Sequence, residues 1–317
     1  MYSFLRKKVA ISIVVILYNG ERYIQQCLDS ILTQEIEKEI ICIDDCSTDN
    51  TYSILQEYAK KHKEIAIYRN NENSGTVFSR YRGLSLCKGK YMLFVDQDDE
   101  LLPKTLGKLY QEAIDAQADI LEFSSQTDGN EEFKKSLKRV NGIISATPIK
   151  AYADGKITNM LWNKLISKDV YKKTLAKMKI NKELVNYSDA IYFLYQFLLN
   201  ARIVVTTETE GYFYYDKRGM TANLSTLERL RQHCSFKITK NEIEKVYGKT
   251  AELTTIWNGV CNKAVCTFLD LSEEEQEKHI QELYRLMSEK NVKFLIEGIK
   301  KLRKWTPGTS GTTEKVQ

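Results

Sequence analysis

Residues 91–102, YMLFVDQDDELL, join an apolar run to a cluster of carboxylates. The apolar run ends at Asp96, and Asp98 and Asp99 follow within three positions. An uninterrupted apolar run of this length is typical of a strand that is covered on both faces, as in parallel sheets. We therefore expect a buried strand whose carboxyl end carries the charges. Ligands of open α/β sheets bind beyond the carboxyl ends of the strands, so this is where a site is expected.

Strand and helix patterns alternate on both sides of this stretch. Strands are predicted at residues 9–17, 39–44, 65–69, 91–95 and 119–125, and helices at 21–32, 47–62, 76–86 and from Pro103 onward. Alternation of this kind predicts an α/β fold with a mostly parallel sheet and helices on both faces.

The later part of the chain has weaker patterns. Residues 127–159 are rich in Gly, Asn, Asp and charged side chains, which indicates loops and a short hairpin. A helix is then predicted at 188–201, and two strands at 202–208 and 211–215. After about Ser225 the sequence favours helices, and residues 306–317 are predicted to be a disordered tail.

Composition excludes several classes of protein. The 317 residues are 43% hydrophobic and 28% charged, which is ordinary for a soluble globular protein. A net charge of +5 is too small to indicate a nucleic-acid partner. Seven cysteines without a C-x-x-C pair predict free thiols in a reducing compartment. No apolar run approaches the length of a membrane span, so a cytoplasmic location is expected.

A second acidic pair, Asp44 and Asp45, ends the strand predicted at 39–44. Because parallel strands point their carboxyl ends to one edge, this pair and the cluster after Val95 should converge there. Such carboxylates would repel each other, and a divalent cation is the simplest compensation, since clustered carboxylate oxygens suit Mg²⁺ or Mn²⁺. The alternative, that Asp49 and Asp99 are only helix caps, remains open for those residues taken singly.

Four stretches of the chain, in order, resemble the family 2 glycosyltransferases of the GT-A fold. They are ISIVVILYNGERYIQQCLDSIL, IICIDDCSTDNTYSIL, NSGTVFSRYRGLSLCKGKYMLFVDQDDELL and WNKLISKDVY. The family includes bacterial enzymes that build capsule, lipopolysaccharide O-antigen and wall polysaccharides. The resemblance implies a GT-A domain at residues 1–225, with a nucleotide-sugar-binding half at 1–125 and an acceptor half at 126–225. A helical extension would follow at 226–305.

The resemblance also implies a donor site. Tyr18 would stack on the nucleotide base, where the alternative is a core aromatic, and Asp45 would accept the N–H of uracil. Asp98 of the Asp-x-Asp motif would bind Mn²⁺ or Mg²⁺. Further donor contacts are implied at Asn19, Arg80, Asp96, Lys217 and Arg218, and supporting roles at Asp44 and Asp99.

The matching position for the catalytic base is Asp189. In an inverting transfer, a carboxylate on the acceptor side takes the proton of the attacking hydroxyl. Ser188 stands where the family usually has Glu, and Ser188-Asp189 could also be only a helix cap. Trp162 is predicted to be a platform for the acceptor sugar, and the alternative is a core anchor. The sequence further departs from the family pattern at Cys46, a common Gly, and at Tyr81, a usual Asn.

The sequence thus predicts a metal-dependent inverting glycosyltransferase. Its donor would be a nucleotide-diphosphate sugar, UDP-linked by preference, and its acceptor a glycan or a lipid-linked glycan. The alternative is a degenerate, non-catalytic binding partner of another transferase. A dinucleotide-dependent oxidoreductase is excluded because YNGERY replaces the Gly-x-Gly-x-x-Gly turn after the first strand.

A basic amphipathic segment, residues 289–305, suggests a peripheral contact with the inner face of the membrane. The alternative is that this segment packs on the catalytic domain, with its lysines in solvent.

Overall fold

The computed structural model describes residues 8–144, 147–180, 189–218, 240–241, 243–245, 248, 250–252 and 272–286. Its strands are β1 (Ile11–Leu17), β2 (Lys38–Asp44), β3 (Ile65–Arg69), β4 (Tyr91–Asp96), β5 (Glu100–Leu101), β6 (Ile120–Thr127), β7 (Gly142–Ile144), β8 (Lys164–Ser167) and β9 (Val204–Tyr214). Its helices are α1 (Ile24–Leu32), α2 (Thr51–Lys61), α3 (Gly75–Leu86), α4 (Leu106–Asp115), α5 (Glu131–Ser136), α6 (Pro148–Ala153), α7 (Lys168–Lys177), α8 (Asp189–Asn200) and α9 (Glu273–Leu286).

The strands form one mixed sheet in the order β3-β2-β1-β4-β8-β6-β9-β5, with β7 also paired to β9. Strands β3, β2, β1 and β4 are parallel to one another, and β6 and β9 are parallel to each other. Strand β8 runs antiparallel to both of its neighbours and joins these two parallel groups. The predicted α/β class is therefore confirmed, and most paired residues lie in parallel ladders.

The core explains the uninterrupted apolar runs. Alternate residues of a strand point to opposite faces of the sheet, so a strand covered on both sides needs apolar residues throughout. In β1, Val14 packs with Ile43 and Phe94 on one face. Its neighbours Ile13 and Val15 pack with the buried side of α1 on the other face.

The region predicted as loops and a hairpin, 127–159, contains two short helices, α5 and α6, and the strand β7. The two strands predicted at 202–208 and 211–215 are one strand, β9, with two register shifts against β6, the first at Glu208 and Thr209 and the second at Gly211. A bulge keeps a polar insertion within one strand. Helix α4 begins at Leu106, so Pro103 lies in the preceding turn and not in the first helical turn.

The predicted boundary between the two halves, 125/126, falls inside β6. Helix α9 lies within the predicted helical extension. Ser188, the basic segment 289–305 and the tail 306–317 lie outside the described residues. Within the part of the chain that the structure describes, no helix combines the length and the apolar character that a membrane crossing requires.

Candidate active site

The carboxyl ends of β2, β1 and β4 meet at one edge of the sheet. Leu17 is the register partner of Asp44, and Ile16 is the register partner of Asp96. The acidic pair after β2 and the acidic turn after β4 therefore flank the end of β1, as the strand pattern predicted.

Arg80 connects this edge to the candidate base. Its Nε lies 2.6 Å from Asp189 Oδ2, and its Nη2 lies 2.8 Å from Asp96 Oδ1. The guanidinium is centred 5.0 Å from the Phe94 ring and is almost fully buried, whereas its partners Asp96 and Asp189 are partly exposed. Helix α8 begins at Asp189, and the first turn of a helix stabilises a carboxylate. The structure thus brings together Arg80, a predicted donor contact, and Asp189, the predicted base, which lie 109 positions apart.

The carboxylates after β4 differ in their surroundings. Burial and the neighbouring charge of Asp96 raise the pKa of Asp98 to about 6. Burial and the charges of Asp98 and Asp96 also raise the pKa of Asp99. Asp99 accepts hydrogen bonds from Tyr212 Oη and Tyr215 N, each at 2.9 Å. Asp99 therefore fastens the acidic turn to β9, whereas Asp98 has no ion pair among the described residues, and the charges of Arg218 and Arg80 only partly offset the rise in its pKa.

The chemistry of Asp98 fits a divalent cation. A carboxylate with a raised pKa gains most from a nearby positive charge, and an ion bound there would lower that pKa again. Among the described residues no group of three or more His, Cys, Asp and Glu side chains is placed to hold a metal. This is compatible with Mg²⁺ or Mn²⁺, which take one or two carboxylates and complete their shell with substrate phosphates and water.

The acidic pair after β2 is held within the protein. Asp45 is buried and accepts hydrogen bonds from Asn70 Nδ2 at 2.6 Å, Ser74 N at 2.9 Å and Gly75 N at 2.7 Å. It therefore fixes the start of α3, the helix that carries Arg80. Asp44 is fully buried and pairs with Arg69 at 3.1 Å, which gives it a supporting position.

Tyr18 and Gln97 form a clamp between β1 and the acidic turn. Gln97 Oε1 accepts from Tyr18 N at 3.1 Å, and Gln97 Nε2 donates to Tyr18 O at 3.0 Å. The Tyr18 side chain is 41% exposed, which favours a stacking role over the core alternative. Gly20 makes room for the clamp, because a Cβ at that position would lie 2.2 Å from Gln97 Oε1. Gln97 was not predicted as a site residue, because the sequence indicates a role for it only through its place inside the Asp-x-Asp motif.

Two non-glycine residues of the donor edge adopt left-handed backbone conformations. Asn19 has φ 49° and accepts from Thr48 N at 2.9 Å, so it holds the turn after β1. Cys46 has φ 63°. This conformation is easily adopted by glycine, which explains why a Gly is common at this position of the family pattern.

Of the two predicted phosphate contacts, Arg218 lies beside the acidic turn and Lys217 is exposed to solvent. The Arg218 guanidinium lies 3.4 Å from the Tyr215 ring centroid and 5.0 Å from that of Tyr23. Its Nη1 is 3.5 Å from the carbonyl oxygen of Asp98. Arg218 is therefore placed next to the position expected for the diphosphate.

Trp162 is only 6% exposed, and its ring stacks on those of Tyr212 at 4.6 Å and Tyr214 at 5.3 Å. This burial favours the core anchor over the predicted sugar platform.

The residues that follow Trp162 form a second buried charged cluster. Lys164 Nζ lies 3.6 Å from Glu122 Oε2 and donates to Asn163 Oδ1 at 2.8 Å and Met160 O at 2.7 Å. Arg139 lies 3.4 Å from Glu122 Oε1. Burial lowers the pKa of Lys164 to about 8, against the opposing effect of Glu122. The pair of Glu122 and Lys164 was not predicted, because no local sequence pattern links a residue in β6 to one in β8.

The chain resembles known proteins across this site. A sequence model described as glycosyl transferase family 2 matches residues 12–182, from β1 to beyond α7. A poly(ribitol-phosphate) beta-glucosyltransferase of Bacillus spizizenii is 40% identical over 114 residues, which are 35% of this chain and 18% of that protein. The chain therefore aligns with only a small part of that relative.

Two solved structures share the fold. The crystal structure of S. aureus TarS 1-349 in complex with UDP-GlcNAc has a TM-score of 0.66 at 20% identity and covers 87% of this chain and 80% of its own. The mannosyltransferase PcManGT from Pyrobaculum calidifontis, in complex with GDP-Man and Mn²⁺, has a TM-score of 0.56 at 15% identity and covers 95% of this chain and 84% of its own. The fold is that of these transferases, and since the family model matches more than half of the sequence, the chain belongs to glycosyl transferase family 2.

Proposed function

We propose that this protein transfers a sugar from a nucleotide-diphosphate donor to a hydroxyl group of a glycan, with inversion at the anomeric carbon and with the help of Mn²⁺ or Mg²⁺. The observation that carries the proposal is the pair of contacts from Arg80 to Asp96 and Asp189. Both a carboxylate at the edge of the sheet and a carboxylate in the first turn of α8 thus contact one buried guanidinium.

Asp189 is the proposed general base. The acceptor oxygen forms its bond to the anomeric carbon while the bond from that carbon to the diphosphate oxygen breaks, and Asp189 takes the acceptor proton. Its contact with Arg80 orients the carboxylate before the acceptor arrives. Arg218 lies where it can neutralise the departing diphosphate.

Asp98 is the proposed protein ligand of the cation. A bound Mn²⁺ or Mg²⁺ ion would supply positive charge to the leaving diphosphate. The support is the raised pKa of Asp98, which Arg218 and Arg80 only partly offset, together with the Mn²⁺ bound to the mannosyltransferase that shares the fold.

We infer a UDP-linked donor from the exposed ring of Tyr18 and from Asp45. Tyr18 is accessible for stacking on a base, and an Asp45 oxygen can accept the uracil N–H in addition to the bonds that hold α3. The UDP-GlcNAc complex of TarS supports the same donor class. For the acceptor we propose a growing bacterial polysaccharide of the capsule or wall type, free or lipid-linked, which the enzyme would meet in the cytoplasm at the inner face of the membrane.

The proposal is tested by measuring UDP release from a panel of UDP-sugars with Mn²⁺, with wild-type protein and the Asp98→Ala variant. We expect slow donor hydrolysis that requires Mn²⁺ in the wild type and that falls to background in Asp98→Ala. Asp154→Ala, which changes an exposed aspartate paired with Lys150, serves as the control and should hydrolyse normally. Donor binding without any turnover would instead support the non-catalytic alternative, and unchanged Mn²⁺ dependence in Asp98→Ala would contradict the metal assignment.

A further inference from the structure

A groove of about 520 Å³ lies next to the candidate active site, between α1 and the edge formed by β5 and β9. None of the carboxylates assigned above to the donor, the metal or the base lines it. Its two walls differ in chemistry, and the difference indicates what the groove binds.

One wall is a polar stripe of α1. Gln26, Asp29 and Thr33 line the groove and follow each other at helical spacing, so they share one face of the helix. This stripe lies beside the apolar face that packs on the sheet, which includes Ile24 and Leu28. Polar side chains here line a concave surface, where they are placed to form hydrogen bonds with a ligand.

The other wall is aromatic. Phe213 lies in β9 and Tyr215 directly follows the strand, and both line the groove with ring centroids 4.6 Å apart. One side of the Tyr215 ring is covered by Arg218, whereas Phe213 is half-buried at the groove. Glu100 of β5 completes this wall and accepts a hydrogen bond from Tyr215 Oη.

An aromatic ring opposite carboxylate, amide and hydroxyl groups matches the chemistry of a sugar. The ring packs against the C–H groups of a pyranose, and planar carboxylates and amides can each bond two neighbouring hydroxyls. The charges of the lining residues further narrow the class of saccharide that the groove can bind. Asp29 and Glu100 line the groove, and no Lys or Arg does so among the lining residues that the structure describes. An anionic chain such as a polyol phosphate would be repelled, whereas a neutral glycan would not.

The groove is connected to the candidate active site through one contact chain. Gln26 donates to Glu100, and Gln26 Oε1 accepts from Arg218 Nη1 at 3.2 Å. The same nitrogen lies 3.5 Å from the Asp98 carbonyl oxygen. A saccharide in the groove would therefore lie within a few side chains of the acidic turn.

We propose that this groove binds neutral pyranose residues of the acceptor or product glycan, beyond the residue that reacts. That the glycan is the acceptor or the product rests on the proposed function, whereas the binding of a saccharide in the groove does not. It predicts a saccharide subsite that works without donor and without metal.

Saturation-transfer difference NMR tests the subsite with maltose, cellobiose and N,N′-diacetylchitobiose as neutral probes, and with glycerol 1-phosphate and ribitol 5-phosphate as anionic probes. We expect saturation transfer to at least one neutral disaccharide, in the presence of EDTA and of UDP alike. Phe213→Ala and Thr33→Arg should each reduce the signal at least fivefold. Gln25→Arg, which places the same side chain at an exposed position of α1 outside the groove lining, should leave it unchanged.

The outcomes separate cleanly. Three results would overturn the subsite. They are no saturation transfer to any neutral probe, wild-type levels of transfer in the two groove variants, and stronger transfer to the polyol phosphates than to the neutral probes. Thr33→Arg keeps the test valid if Phe213→Ala lowers the melting temperature, because Thr33 is exposed. If the wild-type protein binds the saccharide but does not hydrolyse any donor, the proposed function is overturned and the subsite is not.

Discussion

Two buried groups of charged side chains lie in the two parts of the sheet, and they differ in how their charges are balanced. At the end of β4, Asp96, Asp98 and Asp99 lie within four positions, and only Asp96 has an ion pair among the described residues, with Arg80. Between β6 and β8, the single carboxylate of Glu122 lies near two cations, Lys164 and Arg139. The first group has a surplus of negative charge, and the second is compensated within the protein.

The difference separates a site from a scaffold. A buried charge without a partner costs stability and is retained where a ligand will supply the missing charge. A buried charge with several partners needs no ligand, and its loss disturbs the fold. The acidic turn should therefore respond to mutation mainly in activity, and the Glu122 cluster mainly in stability.

Asp189→Asn is expected to have the largest effect on activity. The amide cannot take a proton from the acceptor hydroxyl, so turnover should fall by about 10²–10⁴-fold with donor affinity unchanged. The measurement is kcat for sugar transfer, with donor binding by calorimetry. Asp169→Asn, at the first turn of the neighbouring helix α7, is the matched control and should retain full turnover. Near-normal turnover in Asp189→Asn would place the base elsewhere.

Lys164→Met should have the largest effect on stability. It leaves the fully buried Glu122 with the 3.4 Å contact to Arg139 and the hydrogen bonds from Thr158, and breaking a buried pair costs about 3–5 kcal/mol. Urea denaturation measures the change, and Lys173→Met, on the exposed side of α7, should cost less than about 1 kcal/mol. The double variant Glu122→Leu/Lys164→Met should recover part of the loss. A loss no larger than that of Lys173→Met would show that the pair is not structural.

Asp98→Asn should instead stabilise the metal-free protein. Because the folded-state pKa of Asp98 is raised to about 6, the wild type loses stability as pH rises from about 4 to above 6. At pH 8 with EDTA the variant should be more stable by about 1–3 kcal/mol, and at pH 4 the two should be equal.

Urea denaturation at both pH values provides that measurement, and added Mn²⁺ should stabilise only the wild type. A variant that is less stable than the wild type at pH 8 would mean that the Asp98 charge is already compensated inside the protein.

The smallest expected effect is that of Gln97→Ala, which removes the clamp on Tyr18 but no charge. The two lost hydrogen bonds are exposed, so water can replace them, but Tyr18 is no longer oriented, and a loss of about 1.4 kcal/mol in donor binding raises the donor KM about tenfold. Stability and kcat should change little. Gln126→Ala, an exposed glutamine of β6, is the control. An unchanged donor KM would mean that the clamp does not position the base platform.

The sequence alone determined the strands and helices of the donor half. The apolar run of β4, its acidic end and the alternation with α1, α2 and α3 depend on side-chain periods of 2 and 3.6, which are local properties of the chain. The motif resemblance then predicted the family, and it selected Asp98 and Asp189 as candidates. Local patterns were weakest in residues 127–159, where short elements with polar faces resemble loops.

The tertiary structure decided which of these residues meet. Tyr18 and Gln97 are 79 positions apart, and Arg80 and Asp189 are 109 apart, so neither contact leaves a trace in a window of ten or twenty residues. The role of Trp162 was open in the sequence because an aromatic residue suits both a sugar platform and a core, and only its stacking on Tyr212 and Tyr214 separated them. The same is true of Glu122 and Lys164, whose burial depends on β8 entering the sheet beside β6. Pairing across a sheet is set by strand order, and strand order is a property of the whole chain.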